Sequence, residues 1–471
     1  MKSLWINSKS HCLKGVCLLA VMALGGSNSL SAQTLSLQDC INYALEHNNS
    51  IRQQEIQRQS QEVALQSSKY NRLPSVDASV GQGWSFGRST SDNDNSYFSG
   101  NSTSTNFGIN ASVELFTGFR VENQIKSDKY SLLAATSNLE KARKDVGIQV
   151  ATYYLNALYY KGLTNVQRKQ VALDSVALEN ARTLYSAGKK PESEVATAEA
   201  QLAVSQHNLT EAVGNEVMAR LDLMQILNLE GNVETFFIMD IDTTQLSSDV
   251  APADRIFEES VQKHPSIMAA KFNLEKSKYD LKVSRSGYMP TLSLSAGYNT
   301  GYQYMYNAYV PVYGSDGQPV MDANNKPLKT KMSQASFGDQ LSDHASKTIS
   351  LSLRIPIFDR FSTRNSLRRA RLNIESQNTA LNEAQLSLRK EIQQAYWNAI
   401  KARDNYTSSQ KANASTSLAY QYEAERYSSG RGTSYDLQQA AAKMQKAQQD
   451  EVQAKYEFLM RLKILEFYNA D

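Results

Sequence analysis

The stretch that decides the fold is Val76-Asp-Ala-Ser-Val-Gly-Gln-Gly-Trp-Ser-Phe86, in which apolar residues alternate with small polar ones. One set of positions includes Val80 and Trp84, and the other includes Asp77 and Ser79. Neighbouring side chains of a β-strand point to opposite faces, so this pattern predicts a strand with one apolar and one polar face. A tilted strand of about ten residues is long enough to cross a bilayer.

Three further segments alternate in the same way. The four predicted strands cover about 75–88, 105–116, 291–304 and 347–357. Their apolar face suits lipid, and their small polar face suits a water-filled lumen. Aromatic residues gather near one end, as in an interfacial girdle: Trp84, Phe86, Tyr298, Tyr302, Tyr304 and Tyr306. A soluble, half-buried sheet would alternate similarly, so the strands alone leave both interpretations open.

The chain contains the same unit twice. At a shift of 242 residues, Leu115-Phe116 matches Ile357-Phe358, and Tyr185-Ser-Ala-Gly188 matches Tyr427-Ser-Ser-Gly430. We therefore predict a first repeat at 33–230, a linker at 231–253 and a second repeat at 254–471. The second repeat carries 26 extra residues before Phe358, which predicts a long outer loop at 303–346.

Each repeat is predicted to run helix, strand, strand, helix. In the first, helices are expected from about Leu37 to Asn71, from Arg120 to Ser186 and from Glu192 to Leu229. The middle helix has 67 residues, which at about 1.5 Å each span about 100 Å. Apolar residues recur every seven positions along it, as in a coiled coil: Leu132, Leu139, Val146, Tyr153 and Tyr160. This predicts an antiparallel helical rod in each repeat, with tips at Gly188 and Gly430; a soluble coiled coil is the alternative.

The first residues have the pattern of a secretory signal peptide, which we predict at 1–32 with cleavage near Ala32. That segment holds three Lys and no acidic residue, so the remaining chain has a formal charge of 3 − 3 = 0. A balanced charge argues against a nucleic-acid partner. Asp39 beside Cys40 argues against a lipid anchor, because a lipidation site needs small residues before its cysteine. No later stretch of 18 apolar residues occurs, so only a β-barrel could hold this chain in a membrane.

Catalytic motifs are absent from the sequence. We find no His-Glu-x-x-His, Cys-x-x-Cys or Gly-x-Ser-x-Gly, and Gly188-Lys189-Lys190 lacks the upstream glycine of a phosphate loop. We therefore expect no enzyme activity, no cofactor and no metal site.

In its order of elements the chain resembles the TolC-like outer-membrane efflux protein family. The resemblance is carried by the opening around Leu37, by Leu73-Pro74 and Met289-Pro290 before strands, and by the two Tyr-Ser-x-Gly tips. It implies an α+β membrane protein, a homotrimer whose 12-stranded β-barrel lies in the outer membrane and continues as a helical coiled-coil barrel across the periplasm. It also implies a passive channel that works with a periplasmic adaptor at the tips near Gly188 and Gly430 and with an inner-membrane pump.

The family closes its periplasmic end with tip residues, which the resemblance transfers to this chain. They are a tyrosine before the turn, an arginine after it and two acidic residues on the next helix. Tyr427 and Asp436 match, Gln439 replaces the second acid, and the arginine position falls on Gly432, with Arg431 one residue earlier. The first repeat offers Tyr185 and Glu194 at equivalent positions. Asp436 either forms an acidic ring that makes the closed state weakly cation-selective or merely lies at the start of a helix, where the helix dipole favours a carboxylate.

Two functions of different classes are compatible with these patterns. The first is an outer-membrane channel for efflux or export, with the substrate chosen by the pump. The alternative is a surface coiled-coil adhesin or scaffold whose strands form a soluble sheet.

Overall fold

The computed structural model describes residues 34–90, 97–99, 101–241, 252–306 and 309–469. The predicted signal peptide at 1–32 and residues 242–251 of the predicted linker lie outside this range. Among the described residues, no helix combines the length and the apolar character needed to cross a membrane.

Long helices dominate the described chain. In chain order they are α1 (Leu37–His47), α2 (Asn49–Tyr70), α3 (Arg120–Ser186), α4 (Glu192–Leu227), α5 (Ala253–Ser260), α6 (Pro265–Arg285), α7 (Phe337–Asp343), α8 (Ser362–Ser428) and α9 (Ser434–Asn469). Both α3 and α8 contain 67 residues, and both α4 and α9 contain 36.

The strands fall into one larger sheet and several short pairs. In chain order they are β1 (Thr34–Leu35), β2 (Ser75–Ser85), β3 (Arg88–Thr90), β4 (Tyr97–Ser99), β5 (Asn101–Phe116), β6 (Phe237–Ile238), β7 (Thr291–Tyr306), β8 (Tyr309–Pro311), β9 (Lys329–Lys331) and β10 (Ser346–Arg354).

The first predicted helix is in fact two helices, because Asn48 breaks it. Its backbone is extended, with φ −70° and ψ 128°. The Asn48 side chain accepts a hydrogen bond from the backbone N–H of Ser50 at 2.8 Å and donates one to the carbonyl oxygen of Ile226 at 2.9 Å. These bonds cap α2 and attach the break to the end of α4.

The four-stranded antiparallel sheet has the order β10-β7-β5-β2. Its two inner strands, β5 and β7, each have 16 residues, longer than the ten expected, because they pair with each other from Asn101–Tyr306 to Phe116–Leu292. The outer strands are shorter, at 11 residues for β2 and nine for β10.

Residues paired across the four strands form rows, and neighbouring rows alternate between apolar and polar side chains. One row joins Ile349, Ala296, Ala111 and Val76, and the next joins Thr348, Gly297, Asn110 and Asp77. The predicted alternation is therefore an apolar face and a polar face of one sheet. The apolar face is open in this chain, where Val76 is 67% and Ile349 82% exposed.

The extra residues of the second repeat fold onto the free edge of β7. The side chain of Gln334 accepts from the backbone N–H of Met305 at 2.7 Å and donates to its carbonyl oxygen at 2.7 Å. Gln340, which is buried, accepts from the N–H of Gln303 at 3.0 Å. The segment thus pairs backbone groups of β7 beyond the point where β10 ends.

The chain divides into two compact units, and each draws on both repeats. Unit 1 comprises Met1–Arg52, Ala142–Ser260 and Lys390–Asp471; unit 2 comprises Gln53–Lys141 and Val261–Arg389. Within unit 1 the helices pack through small and apolar residues, including the buried Leu158, Leu223 and Ala399. Val146 of the predicted heptad series is buried, but Tyr153 is 37% exposed and its neighbour Tyr154 is buried instead.

Candidate functional site

Two turns in unit 1 join the long helices: residues 187–191 between α3 and α4, and residues 429–433 between α8 and α9. Each contains a glycine in the left-handed region, with φ +66° at Gly188 and +74° at Gly430. The N–H of Lys189 donates to the carbonyl oxygen of Leu184, and that of Arg431 to Arg426, at 3.0 and 2.9 Å. Glycine tolerates this backbone without a Cβ clash, so both helices end at these glycines.

A polar cluster links the two turns. The hydroxyl group of Tyr427 donates to Oε2 of Glu194 at 3.1 Å, and Nζ of Lys190 lies 2.9 Å from Oε1 of the same carboxylate. Nζ of Lys190 also lies 5.2 Å from the centroid of the Tyr427 ring, within cation–π range. We call Lys190, Glu194 and Tyr427 the turn cluster.

The contacts with Glu194 shift the pKa values of both Tyr427 and Lys190. Partial burial raises the pKa of Tyr427, and the hydrogen bond that its hydroxyl group donates to the Glu194 carboxylate raises this pKa further. The hydrogen bond to Glu194 raises the pKa of Lys190. At neutral pH the tyrosine therefore remains a donor and the lysine remains a cation, so the charge-assisted contacts persist.

Tyr185, the equivalent of Tyr427 in the first repeat, is placed differently. It is 46% exposed, and among the described residues its side chain makes neither a hydrogen bond nor an aromatic ring contact. The two repeats therefore share their turns but not their turn contacts.

The other candidate residues lie outside the turn cluster. Oδ2 of Asp436 accepts a hydrogen bond from the hydroxyl group of Thr433 at 2.8 Å, and the backbone N–H of Asp436 donates to the same hydroxyl oxygen at 3.1 Å. This is a capping arrangement at the start of α9. Arg431 is exposed. Gln439 is exposed and borders a groove of about 810 Å³ between α8 and α9, together with Ala412 and Ala442.

Sequence inspection missed Lys190 as a member of the site. The available signal was its position four residues before Glu194: Lys190 precedes α4, but this spacing is the one at which Lys and Glu side chains pair near a helix. Within the described residues, no group of His, Cys, Asp and Glu side chains is arranged to hold a metal ion.

Comparison with known proteins gives one family match and several relatives. The family model described as "Outer membrane efflux protein" matches residues 40–229 and 256–467. The outer membrane efflux protein BepC of Brucella suis is 22% identical over 194 residues, 41% of each chain. Protein CyaE of Bordetella pertussis is 24% identical over 290 residues, 59% of this chain and 54% of that one. The chain thus spans about half the length of these curated relatives.

A solved structure has the same fold. It belongs to CusC, in a report on conformational changes accompanying folding and transmembrane channel formation. It superposes with a TM-score of 0.74 at 16% identity and covers 92% of this chain and 91% of its own. The predicted α+β fold class, with long helices beside a sheet, is confirmed.

Proposed function

Because the chain belongs to the outer membrane efflux protein family, we propose that it forms a passive channel through which substrates cross the outer membrane to the exterior. The observation that carries this proposal is the sheet with one apolar and one polar face. An apolar face open on the chain surface suits contact with lipid, and the polar face suits contact with water. No chemical step is required of the protein.

The channel is proposed to be a homotrimer. Strands β2 and β10 form the edges of the sheet, and each presents unpaired backbone groups on its outer side. Four strands are too few to close a barrel, since spanning barrels have at least about eight. Pairing β10 of one copy with β2 of the next would satisfy both edges, and three copies would give 3 × 4 = 12 strands.

The division into repeats at 33–230 and 254–471, with a linker at 231–253, is part of the same proposal. The family model matches the chain twice, at 40–229 and 256–467, which supports a duplicated unit.

The turn cluster is proposed as the gate at the periplasmic end. It joins Tyr427, at the end of α8, to Lys190 and Glu194, just before and at the start of α4. It can therefore hold the hairpin of α3 and α4 to the hairpin of α8 and α9, and it releases them when its contacts break. The exposed turns near Gly188 and Gly430 are the proposed contact for a periplasmic adaptor, which would connect the channel to an inner-membrane pump. The pump would supply the energy and choose the substrate, for efflux or for export.

Asp436 has two proposed roles, and its contact with Thr433 supports the helix cap. Single-channel recording of Asp436→Asn separates them. A cap predicts unchanged ion selectivity and a loss of at most about 0.5–1 kcal/mol of stability, because the variant keeps an acceptor for Thr433 and loses only a negative charge near the helix start. An acidic ring predicts that the variant loses the weak cation selectivity of the closed state.

The experiment that tests the channel is conductance of the full-length protein in planar bilayers or proteoliposomes. We expect discrete conductance steps from a trimer of defined mass. A surface adhesin or scaffold, the alternative function, would give no conductance at any protein concentration, and that result would overturn the proposal.

A further inference from the structure

The second repeat carries a concentrated positive charge where its last strand meets its longest helix. Between Arg354 and Ile374 there are six Arg and one acidic residue, Asp359, a formal charge of 6 − 1 = +5. Five of these cations follow the strand: Arg360, Arg364, Arg368, Arg369 and Arg371.

The corresponding segment of the first repeat is neutral. Residues 112–132 contain three basic and three acidic residues, a formal charge of 3 − 3 = 0. Two of its three cations are also partnered: Arg120 lies 2.8 Å from Glu114, and Nζ of Lys126 lies 5.7 Å from the centroid of the Tyr279 ring. The charge is therefore a property of one repeat and not a requirement of the strand-to-helix junction.

The arginines of the second repeat are arranged as a stripe. Arg364, Arg368 and Arg371 follow the i, i+4, i+7 spacing that places side chains on one face of a helix. All three are exposed. Among the described residues no carboxylate lies within ion-pair distance of them, and the nearby Asp359 instead accepts from the N–H of Thr363 at 2.7 Å.

Arg360 extends the stripe at a strained position. Its backbone is left-handed, with φ 56°, and the equivalent residue of the first repeat is Gly118, with φ 62°. Glycine adopts this conformation freely, whereas a residue with a Cβ does so at a cost. A cation thus occupies a place where the backbone alone favours glycine.

Two aromatic rings lie along the chain between strand β10 and the arginine stripe. Ile349 on β10 is 82% exposed, and Ile357, just beyond that strand, is 95% exposed. The Phe358 and Phe361 rings then pack edge to face with centroids 5.5 Å apart, and the guanidinium carbon of Arg364 lies 5.7 Å from the Phe361 centroid. Along the chain, the strand with its exposed apolar face comes first, the aromatic pair follows, and the arginine stripe comes last.

That order matches the layers of a membrane leaflet. Apolar residues suit the hydrocarbon, aromatic rings gather at the headgroup level, and basic side chains just beyond attract anionic lipids. A guanidinium group also binds a phosphate through two parallel hydrogen bonds, which a point charge cannot do.

We propose that Arg360, Arg364, Arg368 and Arg371 bind the phosphate headgroups of anionic phospholipids in the leaflet that faces the periplasm. The proposal rests on the proposed function, because that function places β10 in the outer membrane. The occupant is a lipid and not a free anion, because the stripe continues directly from an exposed apolar and aromatic surface.

Binding of phosphatidylglycerol to the purified full-length protein in detergent tests this proposal. Affinity for a fluorescent short-chain phosphatidylglycerol is compared with that for the matching phosphatidylcholine. We expect the wild type to prefer the anionic lipid and the variant Arg364→Gln/Arg368→Gln/Arg371→Gln to lose that preference by about tenfold or more. The matched control, Arg120→Gln/Lys126→Gln/Lys129→Gln, removes the same charge from the first repeat and should keep the preference within about twofold.

Two outcomes would overturn the proposal. One is equal loss of binding in the stripe variant and the control, which would indicate a general charge effect. The other is displacement of the lipid by millimolar inorganic phosphate at constant ionic strength, which would indicate an anion site without lipid selectivity. Circular dichroism tests whether both variants are folded, and bilayer conductance of the wild type and of both variants is recorded in parallel. A wild type that conducts but shows no preference for the anionic lipid overturns only this inference, whereas a wild type without conductance overturns the proposed channel.

Discussion

The hydroxyl group of Tyr427 lies 3.1 Å from Oε2 of Glu194, although 233 residues separate them in the chain. One residue precedes the turn of the second repeat, and the other follows the turn of the first. With Lys190 on the opposite carboxylate oxygen, the contact holds the two helical hairpins of unit 1 to each other at their ends. A duplicated chain thereby acquires a link that belongs to neither repeat alone.

Replacing Tyr427 by Phe should favour the open channel. The change removes one hydrogen bond to a charged group, and since the side chain is only half-buried we expect about 1 kcal/mol per protomer, or about fivefold in the opening equilibrium. Single-channel recording at neutral pH measures this as an increase in open probability. Tyr185→Phe is the matched control, because Tyr185 has no such contact among the described residues. Equal behaviour of the two variants would refute the proposed gate.

The buried hydroxyl group of Tyr154 should contribute to stability. It lies 2.6 Å from the carbonyl oxygen of Met239 and 3.0 Å from that of Leu35, next to the parallel pair formed by β1 and β6. Burial raises the pKa of Tyr154, so the hydroxyl stays protonated. Tyr154→Phe leaves buried acceptors without this donor and should lower the free energy of unfolding by about 1 kcal/mol.

Tyr396, the equivalent residue of the second repeat, supplies the comparison for that variant. Its ring packs against Trp397 at 5.5 Å, and its hydroxyl makes no hydrogen bond among the described residues. Tyr396→Phe should therefore change the unfolding free energy by less than about 0.5 kcal/mol. Denaturant titration in detergent measures both variants, and a larger loss for Tyr396→Phe would contradict the assignment.

Two glycines of α3 provide space for side chains of α9. A Cβ on Gly162 would lie 2.7 Å from Cγ1 of Val452, and one on Gly147 would lie 3.0 Å from Cε1 of Phe467. The two glycines are 15 residues apart on α3, and their partners Phe467 and Val452 are 15 residues apart on α9. The later glycine faces the earlier partner, as antiparallel helices require. Gly162→Ala should therefore destabilise the protein by about 1–3 kcal/mol through overpacking, which thermal unfolding measures.

Gly214 tests the same substitution where space is open. It lies inside α4, and nothing is within 4 Å of a Cβ placed there. Gly214→Ala should stabilise the protein by about 0.5–1 kcal/mol, because alanine favours a helix over glycine. The opposite signs of the two variants are the expected result, and destabilisation of similar size in both would contradict the packing argument.

Asp174 should make stability depend on pH. It is buried on α3, where its Oδ1 accepts a hydrogen bond from the side chain of Gln170 at 2.9 Å. Burial raises the pKa of Asp174 above its usual range, so the folded chain binds this proton at a higher pH than the unfolded chain does. The unfolding free energy therefore rises as pH falls through the raised pKa and declines as pH rises through it.

Asp174→Asn should remove this dependence. We expect the variant to be more stable than the wild type at pH 7 by about 1 kcal/mol, with the difference shrinking on acidification toward the pKa of the wild-type carboxyl group. Chemical unfolding at several pH values measures the difference. Asp222→Asn on the exposed face of α4 is the control and should stay within about 0.5 kcal/mol of the wild type. A difference that grows on acidification would have the wrong sign for a buried carboxylate.

The long helices and the two faces of the sheet were predictable from the sequence. Helix α3 spans Arg120–Ser186 as predicted, because its start and the glycine that ends it are local signals. The two faces of the strands follow from a period of two residues, which is also local. By contrast, the extra length of β5 and β7 arises from their pairing with each other, which alternation along one strand does not encode.

The contacts that give the molecule its candidate site were decided only by tertiary structure. Asn48 breaks a helical pattern because it reaches the carbonyl oxygen of Ile226, 178 residues away. Tyr427 meets Glu194, whereas Tyr185, in an equivalent sequence context, remains exposed. By itself the sequence determined the lengths of the long helices and the charge of the arginine stripe. Which side chains meet across those elements depends on how distant helices pack, because hydrogen bonds between residues far apart in the chain leave no periodic pattern in it.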